Sequence, residues 1–243
     1  KQKTAYEISL GLVGSEMCIR DRYFEDEVFL RGHESASESN FMIVGLGSIG
    51  SNLAMMMANS FKYVNLFLVD PDKVEMGNLG RTPYLPRQIG KPKAIALAEL
   101  IYMKRPDILA IPKVCRAEDI PLEIYRKWGH PIVIDCRDCI TPLPKYFYVF
   151  PYRVSVQDWK IQITNIPLER VWGQTERQEY TASITYYQAV YASCLLFQKL
   201  RFYLYNWRRL DGLNDRVSRG KFEKVEYDID YKHLKKLRNH GNP

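Results

Sequence analysis

Residues 41–50, FMIVGLGSIG, and residues 64–81, VNLFLVDPDKVEMGNLGR, are the stretch from which the fold can be read. An apolar run ends in Gly45-Leu46-Gly47-Ser48-Ile49-Gly50, and Asp70 closes a second apolar run about twenty residues after the last glycine. That is the spacing of a dinucleotide-type fingerprint, in which each glycine has its own task. Gly45 permits the tight turn out of a strand, Gly47 lets backbone approach a phosphate, and Gly50 lets the following helix pack close to the sheet. The helix start offers unpaired N–H groups and a positive dipole end to an anion. Asp70 is placed to accept hydrogen bonds from ribose hydroxyls. The stretch reads as a nucleotide site.

Downstream, strand and helix patterns alternate. Residues 41–44 and 64–69 read as strands and 48–60 as a helix with Ile49, Leu53, Met56 and Met57 on its apolar face, the methionines as core filler. Residues 71–89 form a long irregular link rich in proline and glycine, and such a link inside a compact domain is usually functional. A helix over 91–104, with Ile95, Leu97, Ala98 and Ile101 inward, precedes a strand at 109–112, a helix at 122–128 and a strand at 131–135. The fold class implied by this alternation is α/β: a doubly wound, Rossmann-like, mostly parallel sheet with helices on both faces. Ligands on such a sheet sit at the carboxyl ends of the strands. Residues 45–50 and 135–138 both fall at such ends, so the two segments are expected to face each other.

The pattern changes beyond Thr141. Residues 146–150 and 154–163 alternate as strands do, and 182–207 is a long helical stretch rich in tyrosine, leucine and phenylalanine. Residues 23–140 are expected to form the nucleotide-binding core, 141–210 a sheet continuation with the aromatic-rich helix, and 211–243 a basic tail, helical in part near 231–238. This C-terminal part is a strand-and-helix extension of the core. Upstream, residues 1–7 resemble the translation of a short-read flow-cell primer and 12–22 that of a transposon-end adapter, with 8–11 as an index-sized gap. Residues 1–22 are therefore set aside as adapter, with native sequence expected from near Tyr23. A genuine N-terminal arm is the alternative.

The formal charge of +7 is uneven, since residues 199–243 alone carry twelve basic and six acidic side chains. The body is close to neutral, which argues against a specific nucleic-acid partner. No apolar run reaches membrane-spanning length, so no membrane partner is expected. The cysteines do not form a disulfide framework, and a cytoplasmic setting is expected. Cys136 and Cys139 make one CxxC without a second pair, so zinc is not expected.

A glycine fingerprint alone is shared by many dehydrogenases, but the segments downstream of it are more specific. Asp70-Pro-Asp72-Lys-Val74-Glu75-Met-Gly-Asn78-Leu79-Gly-Arg81, then Gly90-Lys91-Pro-Lys93-Ala94, then Asp135-Cys-Arg-Asp138 stand in chain order. Together these motifs resemble the ubiquitin-activating-enzyme-like superfamily, the ThiF/MoeB/HesA adenylyltransferases. The resemblance covers about residues 41–138. It implies Mg-ATP bound on the sheet and adenylation of the C-terminal glycine of a small ubiquitin-like or sulfur-carrier protein ending in Gly-Gly, with release of pyrophosphate. A homodimer is expected by the same analogy.

Carried over by position, the resemblance gives Gly45, Gly47 and Gly50 the phosphate-side turn and Asp70 the ribose. Asn78 and Arg81 fall in a phosphate-contacting loop, Lys93 on the triphosphate, and Asp138 on Mg2+. Arg81, Lys93 and Asp138 are the candidate catalytic residues. The chemistry is consistent with this set. A carboxylate attacking an α-phosphate brings two anions together, which requires preorganised cations and a hard metal ion. Asp135 is an alternative metal ligand and Lys91 an alternative to Lys93. The sequence departs from the family at Thr82, where glutamine is usual, and Cys194 lies in an apolar run unsuited to thioester chemistry. Two other functions stay open: a non-catalytic nucleotide- and partner-binding subunit of the same fold, and an NAD-dependent oxidoreductase.

Overall fold

A computed structural model of the chain describes residues 39–61, 63–138, 141–157, 160–164, 185–209 and 224–228. Residues 1–22, Cys139 and the helix expected near 231–238 lie outside them. Five strands build the main sheet: β1 (Ser39–Val44), β2 (Val64–Val69), β3 (Leu109–Lys113), β4 (Ile132–Asp135) and β5 (Tyr148–Val149). Their order is β3-β2-β1-β4-β5, and every neighbouring pair is parallel. The direction of winding reverses between β1 and β4, which makes the carboxyl ends of those two strands the switch-point crevice of the sheet.

Alternate side chains of β1 enter different cores. Phe41 and Ile43 join Leu66, Leu68 and Ile134 under helices α1 (Ser48–Ser60) and α2 (Lys93–Lys104). Met42 and Val44 join Phe67, Val69 and Val133 under helix α3 (Leu122–Lys127), where Tyr125 and Phe147 close the layer. Burial on both faces explains why β1 and β2 read as continuous apolar runs. The helices on both faces expected from the alternating pattern are present.

Local chemistry shifts a few boundaries. Helix α2 starts at Lys93 rather than 91, because Pro92 is the non-helical cap residue, with ψ 133°, and a proline disfavours helical backbone at the residue before it. Ile95, expected inward, is exposed, while Ala94, Ala96, Leu97, Leu100 and Ile101 form the buried face. At the far end of α1, the buried Arg105 donates from Nη1 to Ala58 O at 2.8 Å and Phe61 O at 3.4 Å, and pairs with Asp107. A guanidinium there satisfies carbonyls that a helix end leaves orphaned.

The C-terminal part is a separate layer rather than a plain continuation of the main sheet. Strands β6 (Arg153–Gln157), β7 (Lys160–Thr164) and β8 (Lys224–Asp228) form an antiparallel sheet in the order β6-β7-β8. The single alternating stretch 154–163 thus folds back as a hairpin, and the segment read as a basic tail contains β8. Only β5 extends the parallel sheet, beside β4. Helix α4 (Tyr186–Arg209) packs on α1, with Ser193 Oγ donating to Ile49 O at 3.0 Å and Phe61 meeting Phe197 edge-on at 5.7 Å. Its Ala192 and Leu195 also cover Val156, Ile161 and Ile163 of the second sheet. Among the described residues no helix is long and apolar enough to cross a membrane.

Candidate nucleotide site

The crevice between β1 and β4 brings together three of the expected segments. Val44 and Asp135 are register partners, and Cys136 N–H donates to Val44 O at 2.8 Å. Residues 45–50 and 135–138 therefore adjoin, as their shared position at strand ends implied. Gly45 turns the chain with φ +85°, and a Cβ there would lie 2.9 Å from Arg137 N. A Cβ on Gly50 would lie 1.9 Å from Gly45 O, so the helix start approaches the turn as closely as backbone allows. Around Gly47 nothing lies within 4 Å of an added Cβ.

Helix α1 begins with no side-chain cap and no acidic residue in its first turn. Among the described residues, nothing accepts a hydrogen bond from the N–H groups of Gly47, Ser48, Ile49 or Gly50. A helix end in this state presents a row of donors and a partial positive charge. Such an end is able to hold an anion.

Asp70 closes the turn from below. It is buried; its Oδ2 accepts from Leu46 N–H at 2.6 Å and its Oδ1 from Asp72 N–H at 2.8 Å. Burial raises its carboxyl above the usual range, opposed by the Leu46 hydrogen bond and the nearby positive charge of Lys93. On the other side of Leu46, the carbonyl accepts from the buried hydroxyl of Tyr84 at 2.8 Å. Burial and the charge of Asp70 push the Tyr84 phenol far up, so it stays a donor.

The long link after Asp70 is tied down at several points. Val74 N–H donates to Lys91 O and Gly90 N–H to Val74 O, both at 2.8 Å, which brings the two ends of the link together. Asn78 spends its Oδ1 on Glu75 N–H within its own turn, Met76–Asn78. Thr82 Oγ1 donates to Asn78 O, and Asn52 Nδ2 bridges Ser48 O at 2.7 Å and Arg81 O at 3.0 Å. Asn52 thus holds Arg81 within one side chain's reach of the first turn of α1. Arg81 Nε is buried without a hydrogen-bond partner, the one such side-chain atom among the described residues. A buried charged donor without a partner is costly, and an anion seated at this turn removes that cost.

The two lysines part company. Lys93, on the first turn of α2, reaches Asp72 at 3.0 Å and is near enough to Asp70 to act on its titration. Lys91 turns outward and grips Glu99 at 2.7 Å. The two aspartates of the fourth strand end separate as well. Asp135 is buried under two guanidiniums, Arg137 Nε at 3.0 Å and Arg153 from β6, and Arg137 also pairs with Glu118. Its charge is already neutralised. Asp138 is exposed and has no hydrogen bond or ion pair among the described residues, which leaves its oxygens free for a hard cation. Cys136 sits beneath Gly50 with its thiol pushed up by burial, a structural position.

Tyr84, Asn52, Arg137 and Arg153 went unread in the sequence. Tyr84 carried a signal: it is the one aromatic residue of the link at 71–89.

A model of the ThiF family matches residues 21–142. The molybdopterin-synthase adenylyltransferase of Escherichia coli (strain K12) is 31% identical over 111 residues, 45% of this chain and 44% of that protein. Ubiquitin-like modifier-activating enzyme 5 of Dictyostelium discoideum is 35% identical over 79 residues, 32% of this chain and 20% of that protein. The chain spans less than half the length of these curated relatives. A crystal structure of PaaA shares the fold with a TM-score of 0.53 at 15% identity, over 79% of this chain and 64% of that one. E. coli MccB with AMPCPP and MccA does so with a TM-score of 0.51 at 12% identity, over 79% and 64%.

Proposed function

The chain belongs to the ThiF family, and on that premise we propose that it binds Mg-ATP in the β1–β4 crevice and adenylates the C-terminal carboxylate of a small ubiquitin-like or sulfur-carrier protein. A carboxylate oxygen of the terminal glycine attacks the α-phosphorus, a new acyl O–P bond forms, and the bond to the β-phosphate oxygen breaks. Pyrophosphate leaves, and no proton has to be transferred. No nucleophile from the chain is needed, so its work is to hold anions together and oriented.

The single observation that carries this reading is the α1 start whose N–H groups have no acceptor among the described residues, to which Asn52 ties the backbone carbonyl of Arg81, a residue whose buried Nε also lacks a partner. Both are donors waiting for the same anion. Gly45, Gly47 and Gly50 shape the turn that receives the phosphates, and Asp70 holds the ribose beside it. Asn78 frames the loop that presents Arg81. Lys93 exchanges its contact with Asp72 for the triphosphate. Asp138, with oxygens free, would hold Mg2+, which supplies charge neutralisation across the phosphates.

The test is exchange of labelled pyrophosphate into ATP, with Mg2+ and a small protein ending in Gly-Gly encoded beside this chain. Exchange that disappears in Asp138→Ala, with an unchanged circular dichroism spectrum, is the expected result. ATP binding without exchange would instead identify a non-catalytic nucleotide- and partner-binding subunit, and preference for NADH over ATP an oxidoreductase.

A further inference from the structure

Leu46 is gripped from both sides. Its N–H donates to Asp70 Oδ2 at 2.6 Å and its carbonyl accepts from Tyr84 Oη at 2.8 Å, while its side chain is fully buried. In a helix prolonged by one turn, that carbonyl would take the N–H of Gly50. Here Tyr84 takes the carbonyl instead, and the Gly50 N–H is left without an acceptor among the described residues. A peptide unit is planar and trans, so its C=O and N–H point in opposite directions. Fixing the Leu46 carbonyl toward the buried Tyr84 hydroxyl therefore fixes the Gly47 N–H toward the opposite side. That N–H has no acceptor among the described residues.

We infer that Tyr84 is a positioning residue: its hydroxyl, through the Leu46 carbonyl, aims the Gly47 N–H at the phosphates of the bound nucleotide. The inference rests on the ATP reading proposed above and assigns one residue of that site a task. Tyr84 touches no substrate in this scheme. Its effect is to remove the rotational freedom of one peptide unit in a glycine-rich turn, where that freedom is greatest. A preorganised donor does not have to be reoriented when the anion arrives. If Tyr84 were only core filler, its ring would matter and its hydroxyl would not.

Tyr84→Phe keeps the ring and deletes the hydroxyl. Titration calorimetry with adenosine, AMP and ATP then separates aim from packing. Adenosine affinity is expected to stay within about twofold of the parent, while ATP affinity falls about tenfold, the scale of one hydrogen bond to a charged group. AMP should show part of the same loss. Equal losses for adenosine and ATP, or no loss for either, overturn the role of Tyr84 and leave the ATP reading standing. A parent chain that binds neither AMP nor ATP overturns both. Should Tyr84→Phe fail to fold, amide exchange in the parent chain carries the test. AMP but not adenosine is expected to protect the Gly47 N–H, and an unprotected Gly47 under saturating AMP overturns the inference.

Discussion

Lys93 Nζ lies 3.0 Å from Asp72 Oδ2, with the lysine side chain 12% and the aspartate 65% exposed. The cation is held in the site while its partner stands in water, and an exposed ion pair of this kind is worth little. The contact is therefore easily exchanged for a stronger anion. Asp72→Asn is expected to keep exchange activity and to tighten ATP by a few-fold. Lys93→Ala should lose about two orders of magnitude in exchange rate, on the scale of one removed transition-state donor. ATP no tighter in Asp72→Asn, with Lys93→Ala still active, would move the triphosphate contact elsewhere.

Arg81 offers a second test, because a guanidinium and an ammonium differ in shape. The buried Nε is one edge of a planar fork. Arg81→Lys is expected to behave like Arg81→Ala, with exchange reduced about a hundredfold or more. Thermal unfolding of the apo chain should rise slightly or stay level in Arg81→Met, since the unpartnered buried donor is removed. A marked fall in melting temperature would mean that Arg81 holds the fold rather than the ligand.

Asp70 gives a pH dependence of unusual sign. Its carboxyl is raised on folding, chiefly by burial. Between the ordinary carboxylate value and the raised one, the folded chain binds more protons than the unfolded chain. The stability Asp70 contributes is then full below its unfolded pKa and is lost as pH rises through the folded pKa. Urea unfolding of the parent and Asp70→Asn chains across pH 3.5–7 checks this. The parent's stability relative to the variant is expected to fall as pH increases through that window; a rise would mean that hydrogen bonding from Leu46 outweighs burial.

Asp135 and Asp138 should fail in different ways. Asp135 is enclosed by Arg137 and Arg153, and removing a buried carboxylate leaves charge uncompensated at a cost of about 3 kcal/mol. Asp135→Asn is expected to lower the urea midpoint strongly. Asp138 is exposed and without partners among the described residues, so Asp138→Asn should melt with the parent. Its expected loss is the response of nucleotide affinity to added Mg2+. The reverse pattern would make Asp135 the metal ligand.

The parallel core was legible because its signals are local. The apolar run of β2 and the serine-to-serine span of α1 begin and end where the sequence places them, Val64–Val69 and Ser48–Ser60. The C-terminal layer was not. Alternation at 154–163 is the same for one long strand and for a hairpin, and nothing local announces that β8 returns to pair with β7. Within the site, motif spacing pointed to the glycines and Asp70, and the family resemblance implied Arg81, Lys93 and Asp138. It was silent on Tyr84 and Asn52, whose parts depend on contacts 38 and 29 residues away in the chain. Spacing was likewise silent on Glu99, which draws Lys91 outward while Lys93 pairs with Asp72.

The three glycines of the turn answer to different judges. An added methyl at 45 or 50 strikes the chain's own backbone, whereas at 47 it meets open space. Selection for folding alone would guard two of these positions and be blind to the third. A collection of variants sorted first by solubility and then by nucleotide capture would therefore show Gly47 only at the second sieve. On the ATP reading proposed above, its glycine is written for a molecule that is not part of the chain.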